Sequence, residues 1–314
     1  VGALLGIDIG GTNLKAAIVS SEGAVAAFDA TPWSAGEPEE AVSRIAGQRD
    51  RLVAEVGTDA LSACGCGCAG LVDRERGLVH ASPNLPAWRD VQLARAVEDA
   101  LGLPTVVEND ANAAAFAEYS VGAARGASNA VLLTLGTGVG GGLVIGGRIY
   151  RGSHGGAGEV GHMAVMLDGP ACPCGSTGCI ERLVNAEAIV ARALALVEAG
   201  RRSSLQGIDR LTAKDVGDAA HAGDAVAIEA AAEAGRILGV GLANLVQILD
   251  PDVIVIGGGV AEMGEPLLGA ARRELGRRTA SYHEAVARVV PAELGEVAGV
   301  VGAALLARDG LGRP

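Results

Sequence analysis

The densest chemistry in the chain lies between Glu159 and Glu181, EVGHMAVMLDGPACPCGSTGCIE. His162, Cys172, Cys174 and Cys179 stand between carboxylates at either end. Three thiols and an imidazole make four soft or borderline ligands, the number a zinc ion takes in a closed tetrahedral site. The Cys-x-Cys-Gly-x-x-Gly-Cys spacing lies in an irregular, Gly-rich loop. A metal there would fold the loop and fix two carboxylates and an imidazole around one point. A disulfide explains the cluster less well. It leaves one of the three cysteines over, and Cys172 and Cys174 are poorly spaced to bridge each other.

A second kind of chemistry sits in two turns, Gly10-Gly11-Thr12-Asn13 and Gly136-Thr137-Gly138-Val139-Gly140. Turns of this composition aim backbone N–H groups at one concavity and add hydroxyl donors, which suits an anion such as phosphate. Asp8 precedes the first turn at a strand end, where it can hold Mg2+ through water. Gly257-Gly258-Gly259 follows the apolar run DVIVI. Only two lysines exist, Lys15 and Lys214, and neither follows a glycine, so Walker-type phosphate binding is excluded. A triphosphate would be held by peptide dipoles and a divalent cation. Two G-x-G-x-x-G matches, at 65/67/70 and 136/138/141, run into strand and turn patterns rather than a helix, which argues against dinucleotide binding.

The elements around these groups alternate. Strands are expected at 3–9 and 14–20, a helix at 39–56 entered through Pro38, and a strand at 61–68. A loop with Ser82-Pro83-Asn84-Leu85-Pro86 follows. Asp90 is expected to cap a helix reaching 101, then come a strand at 104–108 and an Ala-rich helix opened by Asn109-Asp110. Strands at 130–135 and 141–146 repeat the opening strand, Gly/Thr turn, strand pattern, which suggests a duplicated α/β unit. Helices near 185–199, 212–222, 224–249 and 265–277, a buried strand at 252–256 and a final helix near 299–308 complete an α/β chain with largely buried sheets. Cys64, Cys66 and Cys68 alternate with glycine and would share one strand face as small buried hydrophobes.

Composition narrows the function classes. The 314 residues are 49% hydrophobic but only 2% aromatic, so the core must be built from Ala, Val, Leu and Ile. A net charge of −12 disfavours nucleic acid and anionic membrane surfaces. No basic leader and no long uncharged apolar run are visible, so neither a signal peptide nor a membrane span is expected. The cysteine usage fits a reducing cytoplasm.

Five motifs occur in order: Asp8-Ile-Gly-Gly-Thr-Asn-Leu-Lys15, Glu108-Asn-Asp-Ala-Asn-Ala113, Leu135-Gly-Thr-Gly-Val-Gly-Gly141, Glu159-Val-Gly-His162 and Cys172-Pro-Cys-Gly-Ser-Thr-Gly-Cys-Ile-Glu181. Together they resemble the ROK (repressor/ORF/kinase) sugar kinases of the hexokinase/actin-like ATPase superfamily, across essentially the whole chain. Within that family, Ser82-Pro-Asn-Leu-Pro-Ala-Trp88 is most similar to bacterial glucokinases. One departure is Cys68-Ala69-Gly70, where the family often has Pro-Gly after the third strand.

The resemblance implies two ribonuclease-H-like α/β domains with an interdomain cleft, and a C-terminal helix returning to the N-terminal domain. The expected division is a small domain of residues 1–110 plus 299–314 and a large domain of 111–298 containing the zinc loop. It implies ATP-dependent phosphorylation of glucose at its 6-hydroxyl. Asp110 would be the catalytic base, and Asn84, Asn109, Asp110, Glu159, His162 and Glu181 would bind the sugar. Asp8, Gly10, Gly11, Thr12, Asn13 and Lys15 match the first phosphate loop, Thr137 and Gly138 the second, and Gly258 and Gly259 the adenosine end. His162, Cys172, Cys174 and Cys179 match the ligands of a structural Zn2+, beside ATP and Mg2+. A homodimer or homotetramer is also implied.

Other readings stay open at this stage. Fructose, mannose or an N-acetylhexosamine can replace glucose as acceptor, and polyphosphate can replace ATP as donor. A repressor of the same family would carry a helix-turn-helix before the first strand, where this acidic sequence starts. Asp110 and the two phosphate turns argue against a noncatalytic sugar-binding module.

Overall fold

The computed structural model of the chain describes residues 2–58, 60–279 and 287–311. Two compact units emerge: Val1–Gly126 with Gly142–Gly158 and Glu293–Pro314, and Ala127–Gly141 with Glu159–Ala292.

The first unit is built on β1 (Ala3–Ile9), β2 (Asn13–Val19), β3 (Val25–Pro32), β4 (Leu61–Cys68) and β8 (Thr105–Asn109), with helices α1 (Pro38–Val56), α2 (Leu93–Leu101), α3 (Asp110–Val121) and α9 (Ala298–Leu311). Its sheet runs β3-β2-β1-β4-β8. β1 to β3 are antiparallel, whereas β1, β4 and β8 are parallel. A second sheet runs β11-β10-β9-β12-β13, from β9 (Ala130–Leu135), β10 (Val139–Ile145), β11 (Arg148–Ile149), β12 (Val253–Gly257) and β13 (Arg288–Pro291). In both sheets the strands lie in the order third, second, first, fourth, fifth along the chain. That repeated order is the duplication foreshadowed by the two Gly/Thr turns.

The alternation of cysteine and glycine in β4 decides how the first sheet is covered. Cys64, Cys66 and Cys68 are fully buried on one face, in a cluster with Leu5, Ile45 and Val97. On the other face, a Cβ on Gly65 would lie 1.8 Å from the Ala303 carbonyl oxygen, and one on Gly6 would lie 1.9 Å from that of Val300. Both positions must stay bare for α9 to lie directly on β1 and β4. α3 packs on α9 in turn. The thiols are free. Contact with Cys64, with burial, pushes the Cys66 thiol well up, and burial does the same to Cys68.

The strand-and-turn pattern after Gly70 is a three-stranded meander of β5 (Leu71–Asp73), β6 (Leu78–Ser82) and β7 (Leu85–Val91), and the loop expected at 82–86 is its tight β6–β7 turn, with Leu85 and Pro86 already in β7. Pro86 is tolerated because β7 is an edge strand. Asp90 does not cap α2. It lies within β7 at φ +51°, with Oδ1 2.8 Å from His80 Nδ1, and α2 begins after Gln92 without a side-chain cap. The cross-strand histidine claims the carboxylate that a helix N-terminus would otherwise take.

The second unit adds α4 (Ile180–Val184), α5 (Ala186–Glu198), α6 (Ala213–His221), α7 (Ala225–Leu249) and α8 (Glu265–Thr279). Asp224 caps α7 through the N–H groups of Val226 and Ala227 and also accepts from Ser203 and Ser204. Among the described residues, no helix is long and apolar enough to cross a membrane.

Candidate active site

In the first unit the C-terminal ends of three parallel strands converge: Asp8 near the end of β1, Cys68 ending β4 and Asn109 ending β8. Such strand ends are where α/β sheets collect ligands. Gly67 on the central strand pairs with Asp8, and a Cβ there would stand 3.6 Å from Asp110 Cα. Asn109 caps α3, its Oδ1 accepting from Asn112 N–H at 3.0 Å. Asp110 is therefore released from that duty, and its Oδ1 accepts from Ala111 N–H at 2.9 Å. It stays at the positive end of the helix, which favours the ionised carboxylate.

Asp8 feels this neighbour. Burial, then the Asp110 carboxylate, raise its pKa to about 6, against an opposing pull from Lys15. A buried carboxylate whose ionisation is opposed by burial and by a neighbouring carboxylate gains from a divalent cation such as Mg2+.

The first Gly turn folds back on itself, with Gly10 N–H donating to Asn13 C=O at 3.0 Å. Thr12 and Asn13 are exposed. Lys15 Nζ donates to Glu296 C=O at 3.2 Å. Asn84 lies in the β6–β7 turn against Gly11, where an added Cβ would meet Asn84 Cβ at 3.2 Å. Asn109 Nδ2 donates to Gly70 C=O at 3.2 Å, so the Cys68-Ala69-Gly70 segment is tied to β8 by a side chain.

Glu108, the first acid of the 108–113 motif, is buried and serves the scaffold. It pairs with Arg151 at 2.6 Å and Arg74 at 3.2 Å and accepts from Asn112 Nδ2. Sequence reasoning missed both arginines, because nothing in their local pattern marks partners so distant in the chain.

In the second unit His162 and the three cysteines come together, with their ligand atoms all within 4.8 Å of one another. Cys172 Sγ is 3.6 Å from His162 Nδ1, and Cys174 Sγ is 3.7 Å from Cys179 Sγ. Tetrahedral zinc with Zn–S of about 2.3 Å and Zn–N of about 2.0 Å requires about 3.8 Å between sulfurs and about 3.5 Å between sulfur and nitrogen. The donor set therefore fits the ion. Hydrogen bonding from Ser176 N–H and from Cys172 lowers Cys174, whereas burial pushes Cys179 up to about 12. A bound metal would take both as thiolates.

Nδ1 faces the sulfurs, so His162 Nε2 points the other way, 3.8 Å from Glu159 Oε2. Glu159 precedes and His162 ends the 3₁₀ turn Val160–His162, which lies on the second Gly/Thr turn. A Cβ on Gly161 would stand 2.0 Å from Val139 C=O. Glu181 Oε2 accepts from Val139 N–H at 3.0 Å. Asn185, absent from the expected site, holds the same turn from behind. Its Nδ2 donates to Thr137 C=O at 3.0 Å while its Oδ1 caps α5. An Asn before a helix signals a cap in sequence, but the helix was expected to start at 185 itself. Gly258, at φ +85°, approaches the Leu135 carbonyl at the start of that turn, and Gly259 is open.

The ROK family model matches residues 4–310 of the chain. The chain belongs to the ROK family. A ROK relative, the glucokinase of Streptomyces coelicolor, is 39% identical over 98% of each chain. Among ROK structures, the glucokinase of Streptomyces griseus in complex with glucose and AMPPNP is 38% identical with a TM-score of 0.81, covering 98% of this chain and 100% of that one. The ROK hexokinase of Thermus thermophilus is 35% identical with a TM-score of 0.80, over 98% and 99%.

Proposed function

We propose that this protein is an ATP-dependent glucokinase that transfers the γ-phosphoryl group to the 6-hydroxyl of glucose. The observation that carries the reading is the pair Asp8, near the end of β1, and Asp110, the first residue of α3 directly after β8, beside a phosphate-type turn. The S. griseus enzyme, similar over the whole chain, holds glucose and an ATP analogue.

In this reading Asp110 accepts the proton of the attacking hydroxyl. Asn84, Asn109, Glu159, His162 and Glu181 fix the sugar hydroxyls, with carboxylates accepting and amide N–H groups donating. The N–H groups of Gly11, Thr12 and Asn13, with Lys15, and those around Thr137 and Gly138 offset the phosphate charge. Gly258 sets the close packing of this segment on Leu135, and Gly259, which is open, leaves room for the adenosine. Mg2+ at Asp8 would neutralise charge on the phosphoryl group in flight. Zinc would be held by His162, Cys172, Cys174 and Cys179 and would supply structure, while His162 Nε2 stays turned toward Glu159.

A soluble, cytoplasmic homodimer or homotetramer acting in carbohydrate breakdown accords with this activity and with the acidic charge of −12. The test is a panel of glucose, fructose, mannose and N-acetylhexosamines with ATP and, separately, polyphosphate, scored by phosphate transfer. Glucose with ATP should give the highest kcat/KM. Absence of transfer to any sugar sinks the kinase reading.

A further inference from the structure

A turn that binds an anion through its N–H groups must face its carbonyl oxygens elsewhere, because they repel the same charge. In the first Gly turn every carbonyl has a donor. Gly10 C=O accepts from the Trp33 indole Nε1 at 2.7 Å. Thr12 C=O accepts from Trp33 N–H at 3.0 Å, Gly11 C=O from Ala35 N–H at 3.2 Å, and Asn13 C=O from Gly10 N–H at 3.0 Å. Three of these four donors come from the strap Trp33-Ser34-Ala35-Gly36 that follows β3. The strap is anchored at its far end by Trp88, whose indole Nε1 donates to Gly36 C=O at 3.0 Å. Trp33 and Trp88 are the two tryptophans of the chain, and both are buried, at 6% and 1% exposure. A chain so poor in aromatics spends both indoles on this strap.

We infer that Trp33 is a positioning residue for the first phosphate turn: its indole and backbone N–H groups hold the turn's carbonyls back so that the N–H groups of the turn face phosphate. Trp88 secures the strap. The inference rests on the reading of Gly10–Asn13 as a nucleotide-phosphate turn and adds the device that keeps it preorganised. Trp33→Phe keeps a buried ring but removes the indole donor, leaving Gly10 C=O without its partner.

The experiment measures KM for ATP and for glucose, kcat and thermal unfolding in the wild type, Trp33→Phe, Trp88→Phe and Leu52→Val. Leu52 shares the core cluster with Trp33 and touches no turn carbonyl in this hydrogen-bond set. Trp33→Phe should raise KM for ATP about tenfold with KM for glucose within about twofold, and Trp88→Phe should move the same constant less. Leu52→Val should lower the unfolding temperature without moving KM for ATP. The inference is overturned if Trp33→Phe leaves KM for ATP unchanged, or if both KM values shift together in proportion to lost stability across the three variants. A wild type that neither binds nor uses ATP removes the functional reading and this inference together, whereas an active wild type with an ATP-indifferent Trp33→Phe removes the inference alone.

Discussion

Glu181 and Val139 are joined by a 3.0 Å hydrogen bond from the Val139 N–H to the Glu181 carboxylate, and a Cβ on the intervening Gly138 would stand 2.7 Å from the same oxygen. The carboxylate assigned to sugar thus rests on the turn assigned to phosphate. Glu181→Ala should therefore raise KM for glucose by about 10- to 100-fold and also raise KM for ATP. Gly138→Ala should produce a milder version of both effects by displacing Glu181. Steady-state kinetics with each substrate varied checks this, and an effect confined to one substrate would separate the two roles.

The zinc cluster gives a second expectation. Purified protein should contain about one zinc ion per chain. Cys172→Ser or stripping with a strong chelator should abolish sugar binding before it unfolds the first unit, because the loop carries Glu159 and His162. Metal analysis with calorimetric glucose titration tests this, and full activity without metal would contradict it.

Asp8 sets a pH dependence. Its pKa is raised from 3.8 to about 6. For an acid raised on folding, the native state holds the extra proton between the two values, so the metal-free fold loses stability as pH climbs from about 4 to about 6. Asp8→Asn should flatten that segment of the stability profile and abolish phosphate transfer. Urea unfolding across this window, without divalent ions, is the measurement. An unchanged slope in the variant would reassign the titration.

The glycine face under α9 predicts stability. Gly6→Ala would place a Cβ 1.9 Å from Val300 C=O and should cost about 3 kcal/mol. Gly156→Ala, which meets nothing within 4 Å, should be close to neutral. Comparing the two in urea separates close approach from general sensitivity.

Much of the frame was legible because it is written in short-range patterns. The apolar runs of β1, β4 and β12, the Pro-led start of α1 and the Asn-Asp opening of α3 carry their own start and stop signals. What escaped notice was either an edge or a long-range partnership. β3 and β13 are edge strands with mixed burial, and neither shows a clean alternation. Pro83 and Pro86 disguised the β6–β7 hairpin. Asp90 read as a cap because its competitor, His80, sits on the neighbouring strand. The four zinc-type ligands were recognisable because their spacing is local and their chemistry unusual. Asn185 and Trp33 were not, because their role is to satisfy carbonyls of turns remote in sequence, and only the folded backbone reveals those.

Asp110 carries the central claim. Asp110→Asn preserves size and hydrogen-bonding reach but removes the base. The account predicts calorimetric glucose affinity within a few-fold of wild type, with kcat lowered by roughly 10²- to 10⁴-fold. A variant that binds glucose normally and phosphorylates it at a near-normal rate would contradict it.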